Sequence, residues 1–451
     1  MARLWFLFEM AIGLTLPAMR MFFLTAFLVL TASVFAQPVL SLREALRIGL
    51  ESNFDIRMAQ NDVLMAKESN TPGMAGFLPN VGFAAGSNFQ SSNLSQKFSS
   101  GLEVNRDGVG SNGINAGLVL NWLFFDGGKM FITKKKLSRQ LNASEIRLQN
   151  QVMAFGDSLS AAYYQVVLGQ LDLNILKQTS ASVEERLRIA SEQNRIGTRP
   201  LSDVLQARID LSQLKNRLLA QEKLIEIRKG AVNQMMGREP DQDFSPSDSV
   251  QLPEISLYAD YKKKVLEKNL GLKQQRENLE VAKLGIGEIR SRIYPQIGLN
   301  MALNYQRTSS QAGFALFNRN IGPFAGISLS MPLYSGISVN RMLRIANKDL
   351  ETKELQVKLS ENRLLFQLWR AVKNQETFLE SLDTEKAIQS LAQENLRIVQ
   401  DRFRIGQANS LELKEAEVQL GNTLTRIEQL RFNARISANQ IQRLAAELEI
   451  N

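Results

Sequence analysis

The residues in this sequence with the greatest capacity for chemistry are carboxylates that follow two copies of one short phrase. Arg-Ile-Gly occurs twice, 209 positions apart, and an acid stands six residues past each glycine, Asp203 in the first copy and Glu412 in the second. A third acid, Glu415, stands three residues after Glu412, a spacing that places both side chains on one face of a helix. Such groups could attract cations or, as a pair, take part in catalysis. The two phrases consist of Arg195, Ile196, Gly197, Arg404, Ile405 and Gly406.

Composition narrows this chemistry. The 451 residues include no histidine and no cysteine, so histidine general bases, thiol nucleophiles, disulfides and the commonest zinc, haem and copper ligands are excluded. A secreted hydrolase that relies on carboxylates is an alternative, but no pair of acids lies near a plausible pocket motif. We therefore expect a protein that is not an enzyme and that has no cofactor and no metal site.

The formal net charge is +9, and the basic residues are spread along predicted helices rather than gathered into tails. This distribution favours a solvated surface over a surface that binds nucleic acid. We expect no nucleic-acid partner.

Residues 1–36 have the pattern of a cleaved secretory signal. Arg20 precedes an apolar run at 21–29, and small residues end at 34–36 in an A-x-A-like cleavage site. The run is short for a membrane span, which makes an uncleaved anchor the weaker interpretation. The residues upstream leave Met19 or Met21 as alternative starts. After cleavage no apolar run of transmembrane-helix length remains, so any insertion into a membrane would have to use strands.

The mature chain is predicted to consist of two similar halves. The segment that starts at Leu50 aligns with the segment from Leu266 at an offset of 216, and from Gly117 onward the offset is 209. The difference of seven residues falls between two strand-like segments, where a loop tolerates insertion. We interpret this as an internal duplication. The boundaries we predict are a first repeat at 37–236, a Pro-rich linker at 237–257 and a second repeat at 258–451.

Each half contains a predicted β-hairpin, at about 77–125 and 294–334. Large apolar side chains alternate with small or polar ones, as with Ile297 and Leu299 against Gly298. A soluble antiparallel sheet has the same pattern, but the secretion signal and the aromatic residues near the strand ends favour a barrel that faces lipid. Because four strands cannot close a barrel with a usable lumen, several chains would have to contribute.

Long helical segments follow each hairpin. No proline interrupts 128–195 or 337–404, and at about 1.5 Å per residue each segment would reach roughly 100 Å. The segments that follow these two in the chain carry apolar residues at a spacing of seven, which is typical of coiled-coil packing. The glycine of each Arg-Ile-Gly phrase suits a helix C-terminal cap. The phrases therefore mark the tips of two long helical hairpins, near 195–202 and 404–411.

In the order of these motifs the chain resembles the TolC-type outer membrane factors, the exit ducts of Gram-negative tripartite efflux and type I secretion systems. The resemblance rests on SLREALRIGLESNFDIRMAQ after the signal, on LPNVG and YPQIG before two of the strands, on WLFFDGGK and MPLYSGIS after the other two, and on the tip phrases. It implies a mainly α-helical fold with membrane β-structure. In such a homotrimer a 12-stranded β-barrel, with four strands per protomer, stands on a long periplasmic α-helical coiled-coil barrel.

The resemblance also implies a location and partners. The barrel would lie in outer-membrane lipid, and the helical tunnel would project into the periplasm. The tips would dock a periplasmic adaptor (membrane fusion) protein, which is joined to an inner-membrane pump of the RND or ABC type. Drug efflux, metal-ion efflux and protein secretion share this architecture.

The same resemblance assigns roles to the tip residues. The phrases at 195–197 and 404–406 become the adaptor-docking points. Glu412 and Glu415 occupy the positions of acids that ring the narrow periplasmic end of the tunnel in this family. A trimer would concentrate six such carboxylates around one axis, and the ring would favour cations.

Asp203 stands where the best-known members have the acid that holds the aperture closed. Its family partners are an arginine two residues past the second glycine and a tyrosine three before it. Here Ala408 and Phe403 occupy those positions, and neither side chain can make a charged or hydroxyl hydrogen bond. We expect either that Arg402 or Arg404 substitutes or that the aperture is held more loosely.

The sequence thus predicts a passive export duct that opens by splaying of its inner hairpins when an adaptor binds the tips. A soluble periplasmic coiled-coil adaptor or scaffold is the alternative. That alternative explains the spacing of seven but leaves the alternating strands and their aromatic ends without a role.

Overall fold

Long helices and one four-stranded sheet make up most of the chain. The structure, a computed structural model, describes residues 39–247, 249–313 and 315–448, so the predicted signal at 1–36 lies outside the described residues. In chain order the elements are β1 (Val39–Leu40), α1 (Leu42–Ser52), α2 (Phe54–Ser69), α3 (Pro72–Ala75), β2 (Asn80–Lys97), β3 (Glu103–Asp126), α4 (Lys129–Arg195), α5 (Leu201–Met235), β4 (Ser245–Pro246), α6 (Tyr258–Lys268), α7 (Leu270–Ser291), β5 (Gln296–Ser310), β6 (Phe317–Ser330), α8 (Ser338–Arg404) and α9 (Ser410–Leu444).

The sheet has the strand order β2-β3-β5-β6, and all neighbours are antiparallel. Its register aligns large apolar residues across the strands. Leu118 of β3, for example, lies opposite both Phe83 of β2 and Leu303 of β5. At the alternate strand positions, Asn121 of β3 lies opposite Asn300 of β5. Successive side chains point to opposite sides of a strand, so one face of the sheet is apolar and the other carries mainly small and polar residues.

Neither edge of this sheet has a partner within the described chain, since β2 pairs only with β3 and β6 pairs only with β5. The apolar face is also uncovered: Phe83 is 70 % exposed and Ile327 is 76 % exposed. Free strand edges and a large exposed apolar face are unfavourable in water. The sheet is therefore not satisfied by one chain in aqueous surroundings.

The two longest helices, α4 and α8, each have 67 residues and would extend for roughly 100 Å. Each is followed by a returning helix of 35 residues, α5 or α9. Contacts between these helices give a layer in the order α5-α4-α9-α8. Within the described ranges, no helix combines the length and the hydropathy that a membrane crossing requires.

The limits of these elements recur at the two sequence offsets. Tyr258, which begins α6, follows Leu42, which begins α1, by 216 positions, and Ser338 of α8 follows Lys129 of α4 by 209. Both α1 and α6 have 11 residues. Two helices, two strands, a long helix and a returning helix thus occur in this order in both halves, with the short α3 added in the first.

The turn from the sheet into the long helix differs between the halves. Gly127 and Gly128 have φ values of 72° and 83°, and a Cβ on Gly127 would lie 2.5 Å from the carbonyl oxygen of Ser291. Glycine is therefore required there. The equivalent of Gly128 is Ile337, whose φ is 64°. A β-branched residue in this region stores backbone strain of about 1–2 kcal/mol.

Buried side chains form three clusters along the helical layer. The largest surrounds Phe155 and Tyr163 in the middle of α4, where α1 and the linker pack. Tyr163 donates a hydrogen bond to the carbonyl of Leu40 at 2.7 Å, and β1 pairs in parallel with β4 of the linker. A second cluster includes Val265 and Leu368, and the third lies at the tips. The linker is thereby attached to the middle of the helices.

Candidate functional site at the helical tips

The two tips, residues 195–202 and 404–411, have the same backbone turn. Gly197 and Gly406 both have a φ of 79°. In each tip the N–H groups of the glycine and of the next residue donate to carbonyls of the last helical turn, at distances between 2.8 and 3.1 Å. This is the Schellman arrangement, in which a residue with positive φ ends the helix and satisfies its last carbonyls. The repeated glycine thus has a structural cause.

The start of the returning helix differs between the tips. Pro200 precedes α5 without a side-chain cap. Asn409 caps α9 by accepting hydrogen bonds from the N–H groups of Leu411 and Glu412, and the Glu412 carboxylate accepts one in return from the N–H of Asn409. This reciprocal pair is a capping box, which stabilises the first turn of a helix. Glu412 therefore has a local role besides the predicted one.

The predicted docking residues lie at the points of the tips. Ile196 is 64 % exposed and Ile405 is 68 % exposed. Arg195 and Arg404 are also exposed, and each contacts an acid of its own helix. A Cβ added to either glycine would meet nothing within 4 Å. Each tip thus ends in an apolar side chain and an open glycine surface, flanked by a cation.

Arg199 joins the first tip to the second. Its guanidinium donates to the Asp203 carboxylate at 2.7 Å and to the backbone carbonyls of Phe403 at 3.4 Å and Ala408 at 3.1 Å. It also donates to the side-chain oxygen of Gln193 at 2.7 Å and lies 4.0 Å from the centre of the Phe403 ring. Arg199 is only 7 % exposed. These five residues, the Arg199 clasp, combine an ion pair, carbonyl hydrogen bonds and a cation–π contact.

The clasp corrects the expectation about Asp203. Arg402 does not reach Asp203 but lies 3.5 Å from Glu412, and Arg404 lies 3.6 Å from an acid of its own helix. The partner is Arg199, which stands two residues past the first glycine. In the family pattern the arginine stands two residues past the second glycine, whereas here it belongs to the same tip as Asp203 and reaches the second tip through the carbonyls of Phe403 and Ala408. Ala408 still takes part, through its backbone carbonyl.

A second group of buried charges, the Arg186 cluster, lies further from the tips. Arg186 of α4 is 1 % exposed and donates to Asp210 of α5 at 2.9 Å and to the carbonyl of Ser410 in α9 at 3.1 Å. Its Nε lies 3.6 Å from the Glu417 carboxylate, and Lys414 donates to Asp210 at 2.7 Å. One guanidinium therefore holds three helices from both hairpins.

The environment shifts the two acids of this cluster in opposite directions. Burial raises the pKa of Glu417 above its ordinary value, and the charge of Arg186 only partly offsets this effect. Burial acts in the same direction on Asp210, but the hydrogen bonds from Lys414 and Gln206 and the charge of Arg186 outweigh it, so the pKa of Asp210 is lowered. Asp210 is thus the better compensated of the two carboxylates.

Glu412 and Glu415 lie near the start of α9, and both side chains are accessible to solvent. Glu412 is paired with Arg402 at 3.5 Å. No cluster of three or more acidic side chains that could hold a metal ion occurs among the residues that the structure describes. Within one chain the two glutamates do not form a closed site, and a ring would need further copies.

Comparison with known sequences decides the family. The sequence model of the outer membrane efflux protein family matches this chain in two segments, residues 46–238 and 251–447. The chain belongs to the outer membrane efflux protein family. As a member it is an outer-membrane efflux channel protein, as the sequence predicted, and the soluble adaptor is not favoured.

Curated members of the efflux family are similar over most of their length. The chain is 20 % identical over 386 residues to the probable efflux pump outer membrane protein TtgC of Pseudomonas putida. The aligned region covers 84 % of this chain and 77 % of TtgC. It is 20 % identical over 337 residues to the proteases secretion protein PrtF of Dickeya chrysanthemi, with 73 % and 71 % covered. These relatives are efflux and secretion proteins rather than enzymes, in line with the expectation from composition.

Solved outer-membrane channels share the fold. The structure of VceC from Vibrio cholerae aligns with a TM-score of 0.73 at 18 % identity and covers 91 % of this chain and 97 % of that one. The Campylobacter jejuni CmeC outer membrane channel gives a TM-score of 0.76 at 15 % identity, with 91 % and 86 % covered. The predicted TolC-like fold, mainly helical with some β-sheet, is confirmed at this level.

Proposed function

We propose that this efflux-family chain forms a passive trimeric export duct. One observation carries the proposal: the four-stranded sheet has two unpaired edges and an uncovered apolar face. Three copies, side by side, would pair β2 of one with β6 of the next and close a barrel of twelve strands. The apolar face would then contact lipid, and the face that carries small and polar residues would line the lumen.

The helical layer also supports copies that meet side by side. Its outer helices carry exposed apolar side chains, such as Leu205 and Ile209 on α5 and Phe366 and Trp369 on α8. These side chains would be covered if α5 of one copy packed against α8 of the next. The layer would then close into a tunnel of twelve long helices below the barrel.

We infer that the two halves arose by duplication, with repeats at 37–236 and 258–451 joined by the linker at 237–257. The matching helix lengths support this division. Two similar hairpins per chain would give the tunnel six similar tips, which is a suitable surface for several copies of an elongated partner.

The tips are the proposed docking points for a periplasmic adaptor, which would connect the duct to an inner-membrane pump of the RND or ABC type. The names of the relatives refer to efflux pumps and to protease secretion. The exposed isoleucines and open glycines support a contact at the tips, because such groups lose little solvation when they are covered. The pump would supply the energy, so the duct itself needs neither catalysis nor a cofactor.

Opening would proceed by splaying of one hairpin of each chain away from the other. The Arg199 clasp and the Arg186 cluster both join the two hairpins, so this motion must break the contacts that cross between them, including Arg186 with Glu417 and Lys414 with Asp210. Separation of a buried charge from its partner costs about 3–5 kcal/mol. An adaptor that binds the open arrangement more tightly would offset that cost.

Glu412 and Glu415 are the proposed selectivity residues, six carboxylates in a trimer. Asp203 is engaged by Arg199 in the closed form. Both residues belong to the first hairpin, so splaying would leave their ion pair intact, and the ring of glutamates would remain the main negative charge near the aperture. The duct would therefore favour cations in both forms.

Conductance in planar bilayers tests this function. We expect the purified protein to form pores with a preference for cations, and the double variant Glu412→Gln, Glu415→Gln to lose much of that preference. The variant Glu222→Gln, Glu354→Gln removes the same charge from exposed positions elsewhere on the helices and should behave like the parent protein. Absence of pores would refute the duct, and an unchanged reversal potential in the tip variant would refute the ring.

A further inference from the structure

Most of the excess positive charge of the chain lies at one level of the molecule. The four segments that join the strands to the helices are residues 70–80, 126–139, 286–296 and 330–345. They contain nine lysines and arginines and two acids, a net charge of +7 out of the formal +9 of the whole chain. These segments, here called the ledge, lie at the end of the sheet from which the long helices leave. The charge is thus less evenly spread than the sequence suggested.

The acids of the ledge do not neutralise this charge. Asp126 is buried and accepts a hydrogen bond from the N–H of Met130. Glu288 accepts hydrogen bonds from Lys136 and Thr133. Several cations have exposed side chains that make no ion pair or hydrogen bond within the described residues, namely Lys129, Lys135, Arg290, Arg341 and Arg344.

Aromatic contacts show which side of the sheet part of the ledge faces. Trp122 lies on the apolar face, and its Nε1 donates to the carbonyl of Phe77 at 2.9 Å. The Phe77 ring packs edge to face on Phe131 of α4, with ring centres 5.1 Å apart. Phe131 is 58 % exposed. Lys135, one helical turn later, is on the same side of α4 and therefore lies below the apolar face.

The second half repeats this combination of a cation and aromatic or apolar groups. Arg344 of α8 is the equivalent of Lys135, 209 positions later. Tyr294 is 52 % exposed and Ile293 is 48 % exposed, with Arg290 and Arg292 beside them. Aromatic rings at the edge of an apolar band are typical of the boundary between lipid tails and headgroups.

We propose that the ledge binds the phosphate groups of anionic phospholipids in the periplasmic leaflet of the outer membrane. The inference rests on the duct proposal, since only an inserted sheet brings the ledge to the level of the headgroups. Arginine binds phosphate through paired hydrogen bonds, and lysine can extend along the apolar boundary to reach it. A net charge of +7 per chain, repeated around a trimer, favours phosphatidylglycerol or cardiolipin over neutral headgroups.

Native mass spectrometry of the detergent-solubilised assembly tests the proposal. The protein is mixed with phosphatidylglycerol or with phosphatidylethanolamine, and the retained lipids are counted at low and at moderate salt. We expect the parent protein to retain phosphatidylglycerol preferentially, and less of it as salt rises. The double variant Lys135→Gln, Arg344→Gln should bind it about tenfold more weakly, because each cation near an anionic headgroup contributes to affinity.

A matched control separates this effect from the loss of charge alone. Lys215→Gln with Lys358→Gln removes two exposed lysines from the helical layer and should leave lipid retention unchanged. Equal retention of phosphatidylglycerol by the ledge variant and the parent would overturn the lipid contact, as would no preference between the two lipids. Neither result affects the duct, whose pores are measured separately in bilayers. A protein that forms no pores would refute the duct and the ledge together.

Discussion

The sheet and the helical tips differ in whether a single chain supplies partners for their strand edges, apolar side chains and buried charges. The sheet leaves two strand edges unpaired and exposes its large apolar side chains, which the proposed duct would satisfy with other copies and with lipid. At the tips, by contrast, one chain supplies both partners of the buried contacts: Arg199 with Asp203, and Arg186 with Asp210. Assembly is thus expected to depend on the sheet, and the resting state of the aperture on contacts within each chain.

This difference separates two properties that could otherwise be confused. A change in the sheet should prevent assembly and leave no duct to study. A change at the tips should leave assembled ducts whose docking or opening is altered. The two regions should therefore respond independently to substitution.

The largest effect is expected from charges on the apolar face. Leu118 and Leu303 lie opposite each other in neighbouring strands, and Leu118→Arg with Leu303→Arg would place two cations against lipid in each chain. Each costs about 2–4 kcal/mol at the middle of a bilayer, so insertion and assembly should be lost. The fraction that resists carbonate washing of membranes measures this. Asn121→Arg with Asn300→Arg, which lie opposite each other on the other face, should insert normally, and equal loss in both variants would contradict the assignment of the faces.

A second effect is expected at the points of the tips. The double variant Gly197→Val, Gly406→Val would fill the open surface and strain a backbone with a φ of 79° at each position. Export should be abolished while assembled protein stays in the membrane. Gly101→Val, in the β2–β3 loop at the other end, introduces similar strain at a φ of 85° and should export normally. Unimpaired export by the tip variant would remove the docking role.

The smallest effect concerns the resting aperture. Arg199→Met removes the guanidinium and leaves Asp203 and two backbone carbonyls without their partner. Only the contacts with Phe403 and Ala408 join the two hairpins, and a hydrogen bond from a charged group contributes about 1.5–3 kcal/mol, so the open fraction should rise by about tenfold or more, with assembly unchanged. Single-channel recordings measure it. Arg195→Met, which removes a largely exposed arginine of the same tip, should behave like the parent, and equal closure in both variants would show that the clasp does not hold the aperture.

The regular parts of this fold could be predicted from the sequence because they depend on local periodicity. Alternating side chains indicated the strands, the lack of proline indicated the 67-residue helices, and the glycine at the end of Arg-Ile-Gly indicated a helix cap. Each of these signals is contained in a short window. The pairing of β3 with β5 joins segments that are far apart in the chain, and no local pattern specifies it.

The charged contacts of the tips were missed because they join side chains from different helices. A signal was nevertheless present in the comparison of the two halves. Arg199 has Ala408 as its equivalent, and Glu417 has Arg208, so these two charges stand where the repeat is broken. In a chain built from two similar halves, such positions are candidates for contacts between the halves.

The central claim is that three copies pool their strands and helices around a water-filled path. The mass of the purified mature protein, measured by light scattering with and without detergent, tests it most directly. We expect a particle of three chains that stays in solution only while detergent is present. A single chain that is monodisperse in buffer without detergent would contradict it.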